Sequence, residues 1–385
     1  MVEFGRWKSW PQYGLEEERA VLRVIKSNQL YAAHEVQEFE SRFASYVGTR
    51  YAIGVCNATA GLHLALAALG VGVDNEVLVT PYSWISTASC VLMQNAVPVF
   101  ADIELESYGI DPVILPSLVT TSTKAVITTH MFGNPCKIED LVNQCKKLEI
   151  PLIEDASHAH GASFKDKMLG SWGTIGVFSL HQRKNLSVGD GGVIVTNDEA
   201  IYRKLFKLRS FGDEELSYNY RMTEFAAAIG LVGLEKLDEQ NLIRATNVEA
   251  LNLAIETPRI SVVTPNPDGK SSYHAVLLKV AAEVTLDEIQ SLLTKFDALG
   301  IPCRKTWSPL HLHPHFNPTK IPARGLPWHY PTYNGQMKGK FYHELNLPNV
   351  TSVCPNRLLE LYVHPPADAE DMRFVAALIN NHFSE

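Results

Sequence analysis

Short, continuously apolar runs alternate with helix-patterned segments over residues 51–237, and that alternation limits the folds open to the chain. Apolar runs stand at 52–56 (AIGVC), 77–79, 97–101, 124–129, 151–154 and 175–180. Segments of helical spacing stand between and around them, at 16–27, 36–47, 60–70, 85–95, 138–148, 199–209 and 223–237, and Asp111-Pro112 opens one more short helix. The runs are apolar throughout rather than on alternate residues, so each strand needs cover on both faces. Parallel strands joined by crossover helices meet that need. The expected fold is α/β, with a mainly parallel sheet between two layers of helices.

A chain of 385 residues exceeds what one core commonly fills. Past about residue 245 the pattern changes. The turn-rich string TPNPDGKSS precedes a strand at 274–280, a helix at 286–299 opens with the capping box Thr285-x-x-Glu288, and a last helix covers 370–382. The expected division is an N-terminal arm and large α/β domain over 1–245, and a smaller α+β domain over 246–385.

Charge and cysteine usage narrow the partners. Lysine plus arginine number 34 against 42 acids, a net charge of −8, and no basic stripe marks a nucleic-acid surface. The six cysteines, at 56, 90, 136, 145, 303 and 354, contain no C-x-x-C, which fits reduced thiols in a cytoplasmic protein better than a disulfide framework or a zinc site. The head MVEFGRWKSWPQY has no apolar signal core, and no run reaches the roughly 18 residues a spanning helix needs, so no membrane partner is expected. Trp7, Trp10 and Tyr13 in that head would favour aggregation if bare; the arm is expected to pack on the body or on a second subunit.

Chemistry concentrates between residues 153 and 192. The string IEDASHAHGA places Asp155 at the end of an apolar run, and VFSLHQRKNLSVGDGGVIV carries Lys184 in a loop after another. Strand ends are where open α/β sheets hold ligands. Pyridoxal phosphate requires this pair: a lysine to hold its aldehyde and a carboxylate to keep its ring nitrogen protonated. Alone, either residue also fits a plainer role, Asp155 as a helix cap and Lys184 as a solvated charge. After the first strand, Asn57-Ala58-Thr59 enters a helix whose free amides suit a phosphate, or simply caps it. No G-x-G-x-x-G follows that strand, which argues against a dinucleotide-binding dehydrogenase.

Three strings in order, EDASHAHGA, FSLHQRKNLSVGDGG and YNYRMTEFAAAIG, resemble the DegT/DnrJ/EryC1/StrS sugar aminotransferases, a branch of the fold-type-I pyridoxal phosphate enzymes. The resemblance runs from about Trp10 to the last helix. It implies a homodimer with active sites at the interface. It gives Lys184 the cofactor aldehyde and Asp155 the ring nitrogen. Ala58 and Thr59 stand where the family has S-G-T on the phosphate, with alanine replacing the usual glycine. Ser179 would contact the phosphate, Trp84 would stack on the ring, and His158 would lie beside the phenolic oxygen. Asn219 would reach the phosphate of the neighbouring subunit's cofactor. The family's sugar dehydratases have histidine at the position of Lys184, so the lysine favours transamination.

The implied substrates are a keto-sugar, nucleotide-linked or otherwise activated, and glutamate or glutamine as donor. KNLSVGDGG is similar to enzymes acting on nucleotide-linked 3-keto sugars. The head WPQY is similar to the branch containing cyclitol aminotransferases, acting on ketones such as scyllo-inosose, and 3-amino-5-hydroxybenzoate synthases. An idle cofactor-binding regulator or scaffold is the non-enzyme alternative. In HLHPHF, His311, His313 and His315 alternate like metal ligands, but Pro314 interrupts the strand this would need and no metal is expected. The string also resembles the family's P-L-H-x-x-P loop near the substrate entrance, which makes His311 a substrate-contact candidate.

Overall fold

A computed structural model of the chain describes residue 7 and residues 9–211, 216–316 and 327–384. Helices α1 (Leu15–Ser27) and α2 (His34–Val47) lead into β1 (Tyr51–Val55) and α3 (Ala58–Ala68). Then follow β2 (Glu76–Val79), α4 (Ser86–Met93), β3 (Val97–Phe100), α5 (Leu115–Leu118), β4 (Thr123–Thr129), α6 (Ile138–Lys147) and β5 (Leu152–Asp155). After the small hairpin of β6 (Ser163–Phe164) and β7 (Lys167–Met168) come β8 (Ile175–Ser179) and β9 (Gly192–Thr196).

Seven of these strands form one sheet in the order β1-β9-β8-β5-β4-β2-β3. Pairing is parallel from β8 through β5, β4 and β2 to β3, whereas β9 runs antiparallel to both of its neighbours. Between β8 and β9 there is no crossover helix: the connecting loop, residues 180–191, folds back on itself, as an antiparallel pair allows. Every residue of β2, β3, β5, β8 and β9 is buried, as the unbroken apolar runs require.

Two local expectations change. Asp111 closes a turn, its side chain accepting from the Val113 amide at 2.9 Å, and the helical turn starts only at Leu115. The helix expected to end at 237 continues as α8 (Glu224–Ala254), capped by Thr223. No glycine or proline interrupts residues 238–254, and this half buries Asn241, Arg244, Asn247, Val248 and Leu251. The expected boundary at 245 therefore falls inside one continuous helix.

Between β9 and α8 lies α7 (Glu199–Arg209), packed on α3 and β1 of the large sheet; the C-terminal part after α8 comprises β10 (Ile260–Val262), β11 (Gly269–Lys270), β12 (Val276–Val280), α9 (Leu286–Ala298), β13 (Cys303–Lys305), α10 (Pro348–Val353), β14 (Leu358–Leu361) and α11 (Ala369–Ser384). Strands β10-β12-β14-β13 make an antiparallel sheet, and the predicted capping box of Thr285 and Glu288 opens α9. A second core begins at Val248 and continues through Leu278, Phe296, Leu361 and Ile379. Leu310, Trp328, Tyr333 and Tyr342 instead join the core of the large sheet. They are fastened there through Glu76, which accepts from the Tyr333 hydroxyl at 2.6 Å and from the Gln336 amide at 2.7 Å.

Candidate active site

Adjacent residues of a strand point to opposite faces, and β5 uses both acids at its end differently. Glu154 takes amide hydrogens from Gly170, Trp172 and Gly173 at 2.6–2.8 Å and faces His130 Nε2 at 2.9 Å, so it organises the loop before β8. Asp155 faces the cleft. Its Oδ2 accepts from Thr87 Oγ1 at 2.8 Å and its Oδ1 from the Ser157 amide at 3.2 Å. Thr87 in turn lies 2.6 Å from Ser83 Oγ, and Ser83 3.2 Å from Thr129 Oγ1. A buried hydroxyl chain, from α4 (Thr87), the loop after β2 (Ser83) and the end of β4 (Thr129), thus fixes one carboxylate, and charge-assisted bonds of this kind hold a rotamer firmly.

Lys184 sits in the loop between β8 and β9. That loop closes on itself through bonds from Leu180 N to Gly191 O and from Gln182 N to Gly189 O, both 2.8 Å. Gly189 has φ +94°, and a Cβ on Gly192 would lie 2.7 Å from the Ala58 amide nitrogen, so the G-D-G-G string serves a turn and a close approach to α3. The N-terminal arm lies across the loop. Trp10 Nε1 donates to the Lys184 carbonyl at 2.9 Å, and the Tyr13 hydroxyl lies 3.0 Å from Ser187 Oγ. Trp10 also stacks on His364 at 4.9 Å and covers the buried Arg244 guanidinium at 4.6 Å. The expected packing of the arm on the body is thereby realised. Burial pulls the Lys184 amine down from its ordinary 10.5 to about 8, against the opposing pull of Asp155 and Glu360.

An anion seat forms where α3 starts. The Asn57 side chain caps the Ala60 amide at 2.9 Å and the Asn57 carbonyl takes that of Gly61, leaving the amides of Ala58 and Thr59 at the positive end of the helix. Ala58 is itself helical, which is why alanine serves where a glycine was expected. Thr59 Oγ1 lies 2.7 Å from Ser86 Oγ, and Ser179 closes the same wall from the end of β8.

Walls for a flat ring complete the cleft, a cavity of about 720 Å³. Trp84 is 57% exposed over it, edge-on to Trp307 at 5.6 Å. His158 is buried between Phe132 and His274, with its ring 4.3 Å from that of His274. Burial, with the positive charge of Lys184, keeps His158 far below its ordinary pKa and therefore neutral. Its Nδ1 accepts from the Phe132 amide at 3.2 Å, which leaves the proton on Nε2 as a donor.

The structure gathers Lys184, Asp155, Ala58, Thr59, Trp84, His158 and Ser179 on one cleft. Two predicted residues lie elsewhere. His311 is buried beside Phe100 and borders a separate cavity with His343 and Leu347; its proline-bound loop folds onto the large core instead of the cleft. His313 and His315 lie on successive tight turns, not on a strand. Asn219 is exposed and bridges to Ser210, outside the cleft of its own chain. Missed residues include Thr87, Ser86, His274, Arg304, Trp307 and Tyr362, which have no local motif and reach the site through tertiary packing.

These groups fit pyridoxal phosphate: a cleft carboxylate for the ring nitrogen, a tuned amine for the aldehyde, orphan helix amides for the phosphate, and a neutral N–H donor beside the ring. Comparison with known proteins agrees. The chain is 33% identical to the spore coat polysaccharide biosynthesis protein SpsC of Bacillus subtilis, over 80% of this chain and 84% of that one. Its fold is similar to an aminotransferase from Psychrobacter cryohalolentis at TM-score 0.86 and 27% identity, covering 98% and 99% of the two chains. The DesV enzyme of S. venezuelae gives TM-score 0.83 at 26% identity, covering 95% and 94%. The family model of the DegT/DnrJ/EryC1/StrS aminotransferases matches residues 11–358, and with this cleft the chain belongs to that family, as a fold-type-I, pyridoxal-phosphate-dependent aminotransferase.

Proposed function

We propose that the enzyme moves an amino group from glutamate or glutamine to a nucleotide-linked keto-sugar in amino-sugar biosynthesis. The observation that carries this reading is the amine of Lys184, tuned to about 8, sharing one cleft with the Thr87-anchored Asp155. Pyridoxal phosphate, when bound, supplies an aldehyde that condenses with amines and a ring that accepts the electrons released when a proton leaves the donor's α-carbon. Asp155 would hold the ring-nitrogen proton. His158 Nε2–H would orient the phenolic oxygen, and the amides of Ala58 and Thr59 with Ser179 would hold the phosphate. Lys184 Nζ would carry the proton between substrate carbon and cofactor as general base and acid, a task that needs its neutral form near physiological pH. Trp84 would cover the ring face and exclude water.

The WPQY head supports a second acceptor class, a cyclitol ketone or a 3-amino-5-hydroxybenzoate precursor, in the same chemistry. The working unit in this reading is a homodimer in the cytoplasm. Six unpaired cysteines suit that compartment, and no helix among the described residues is long and apolar enough to cross a membrane. Exposed Tyr31 and Phe211, which flank Arg221 near Asn219, supply an apolar surface for a second copy and would let Asn219 reach its neighbour's phosphate.

Absorbance spectroscopy tests the reading. The visible band of the lysine-bound cofactor should bleach with glutamate or glutamine and return on addition of the matching keto-sugar. A band that no amino donor bleaches refutes transamination and favours an idle binding protein.

A further inference from the structure

Beside the cofactor cleft lies a second cavity of about 430 Å³, walled by Trp7, Trp10, Cys303 and His364. Arg183, Arg304 and Tyr362 line both spaces and so form their junction. Among the described residues, three side chains that are cationic at neutral pH border the cleft: Lys184, Arg304 and Arg183. Lys184 is committed to the cofactor. Arg304 is committed to the buried Glu360, to which its Nε donates, and its Nη2 donates to the Tyr362 hydroxyl at 3.2 Å. Arg183 uses only its backbone, the amide donating to His181 Nδ1 at 3.3 Å; its guanidinium has no hydrogen-bond or ion-pair partner among the described residues. Asp155 and Asp190 on the cleft and Asp297 in the second cavity make no ion pair with it, and the buried Glu360, which feels its charge, is bonded to Arg304.

We infer that Arg183 seats an oxyanion of the substrate at this junction. The inference rests on the transaminase reading. A guanidinium presents parallel N–H donors that match a carboxylate or a phosphate edge. Arg183 borders both cavities, whereas the α3 amides of Ala58 and Thr59 border only the cofactor cleft. Two sources share the chemistry: the carboxylate of the amino donor, and the phosphate of an activated keto-sugar lying in the second cavity. In either case the residue immediately before the catalytic lysine sets substrate specificity.

Calorimetric titration of the holoenzyme with glutarate and, separately, with inorganic pyrophosphate tests this. Arg183→Gln should weaken binding by about 10- to 100-fold, as expected for a lost charged hydrogen bond, and Arg183→Lys should recover part of it. Weakening confined to glutarate assigns the seat to the donor carboxylate, and weakening confined to pyrophosphate assigns it to the phosphate. Weakening of both means one seat serves both half-reactions. Wild-type protein that binds neither probe, or a Gln variant that binds both as tightly as wild type, overturns the inference. Bleaching of the wild-type cofactor by glutamate is read separately, so failed transamination and a failed oxyanion seat are told apart.

Discussion

The arm's grip on the lysine loop leads to a quantitative expectation. Trp10→Phe keeps an aromatic ring on His364 but deletes the N–H that donates to the Lys184 carbonyl, and Tyr13→Phe deletes the hydroxyl beside Ser187. A neutral hydrogen bond is worth about 0.5–1.5 kcal/mol net, so cofactor affinity should fall about 2- to 12-fold for Trp10→Phe. The double variant should lose about 5- to 150-fold, with some coupling because both bonds hold one loop. Both contacts are only partly buried, so water replaces them in part and the lower ends of these ranges are expected. The assay is titration of apoenzyme with pyridoxal phosphate, followed by visible absorbance, with the thermal midpoint measured on the same samples. A double variant that binds the cofactor as tightly as wild type refutes the idea that the arm positions Lys184. A fall in thermal midpoint without a fall in affinity would make the arm a stabilising strap only.

Other outcomes follow from the cleft. Asp155→Asn should keep measurable cofactor binding and lose orders of magnitude in transamination rate; a near-normal rate removes Asp155 from the chemistry. In the apoenzyme, labelling of Lys184 by an amine-selective reagent should rise with a midpoint near pH 8, because its neutral form grows through that value instead of 10.5. The sign for stability is set by the same shift: the unfolded chain binds this proton more tightly, so the lysine's contribution rises between about pH 8 and 10.5 and is absent below, which apoenzyme denaturation across that range can check. Asn219→Ala should weaken cofactor retention in a dimer while leaving the fold intact, and unchanged retention would exclude its reach across the interface.

Much of the site is local chemistry, which is why it was legible. Asp155 and Ser179 end apolar strands, Lys184 occupies a loop closed by glycines, and Asn57 caps the helix that offers its amides. Strand and helix periods depend on neighbours along the chain, so the parallel sheet could be read from its apolar runs. The change of composition near residue 245 falls inside the unbroken α8, and the second core begins just after it, at Val248. His311 shows what a local motif leaves open: it resembles the family's entrance loop, while tertiary packing sets its side chain beside Phe100.

What the sequence determined by itself, then, is the α/β class and the positions of Lys184, Asp155 and the start of α3 at strand ends, which the structure brings to one cleft. Tertiary structure alone decided that Thr87, from α4, holds Asp155, and that Trp10 fastens a loop 174 residues further on. It also decided that Arg183 and Tyr362 meet at the junction of two cavities. The reason is physical: propensity and periodicity act over a few residues, whereas these contacts arise when crossover connections and the return of the C-terminal half close long loops, and no short-range pattern carries that information.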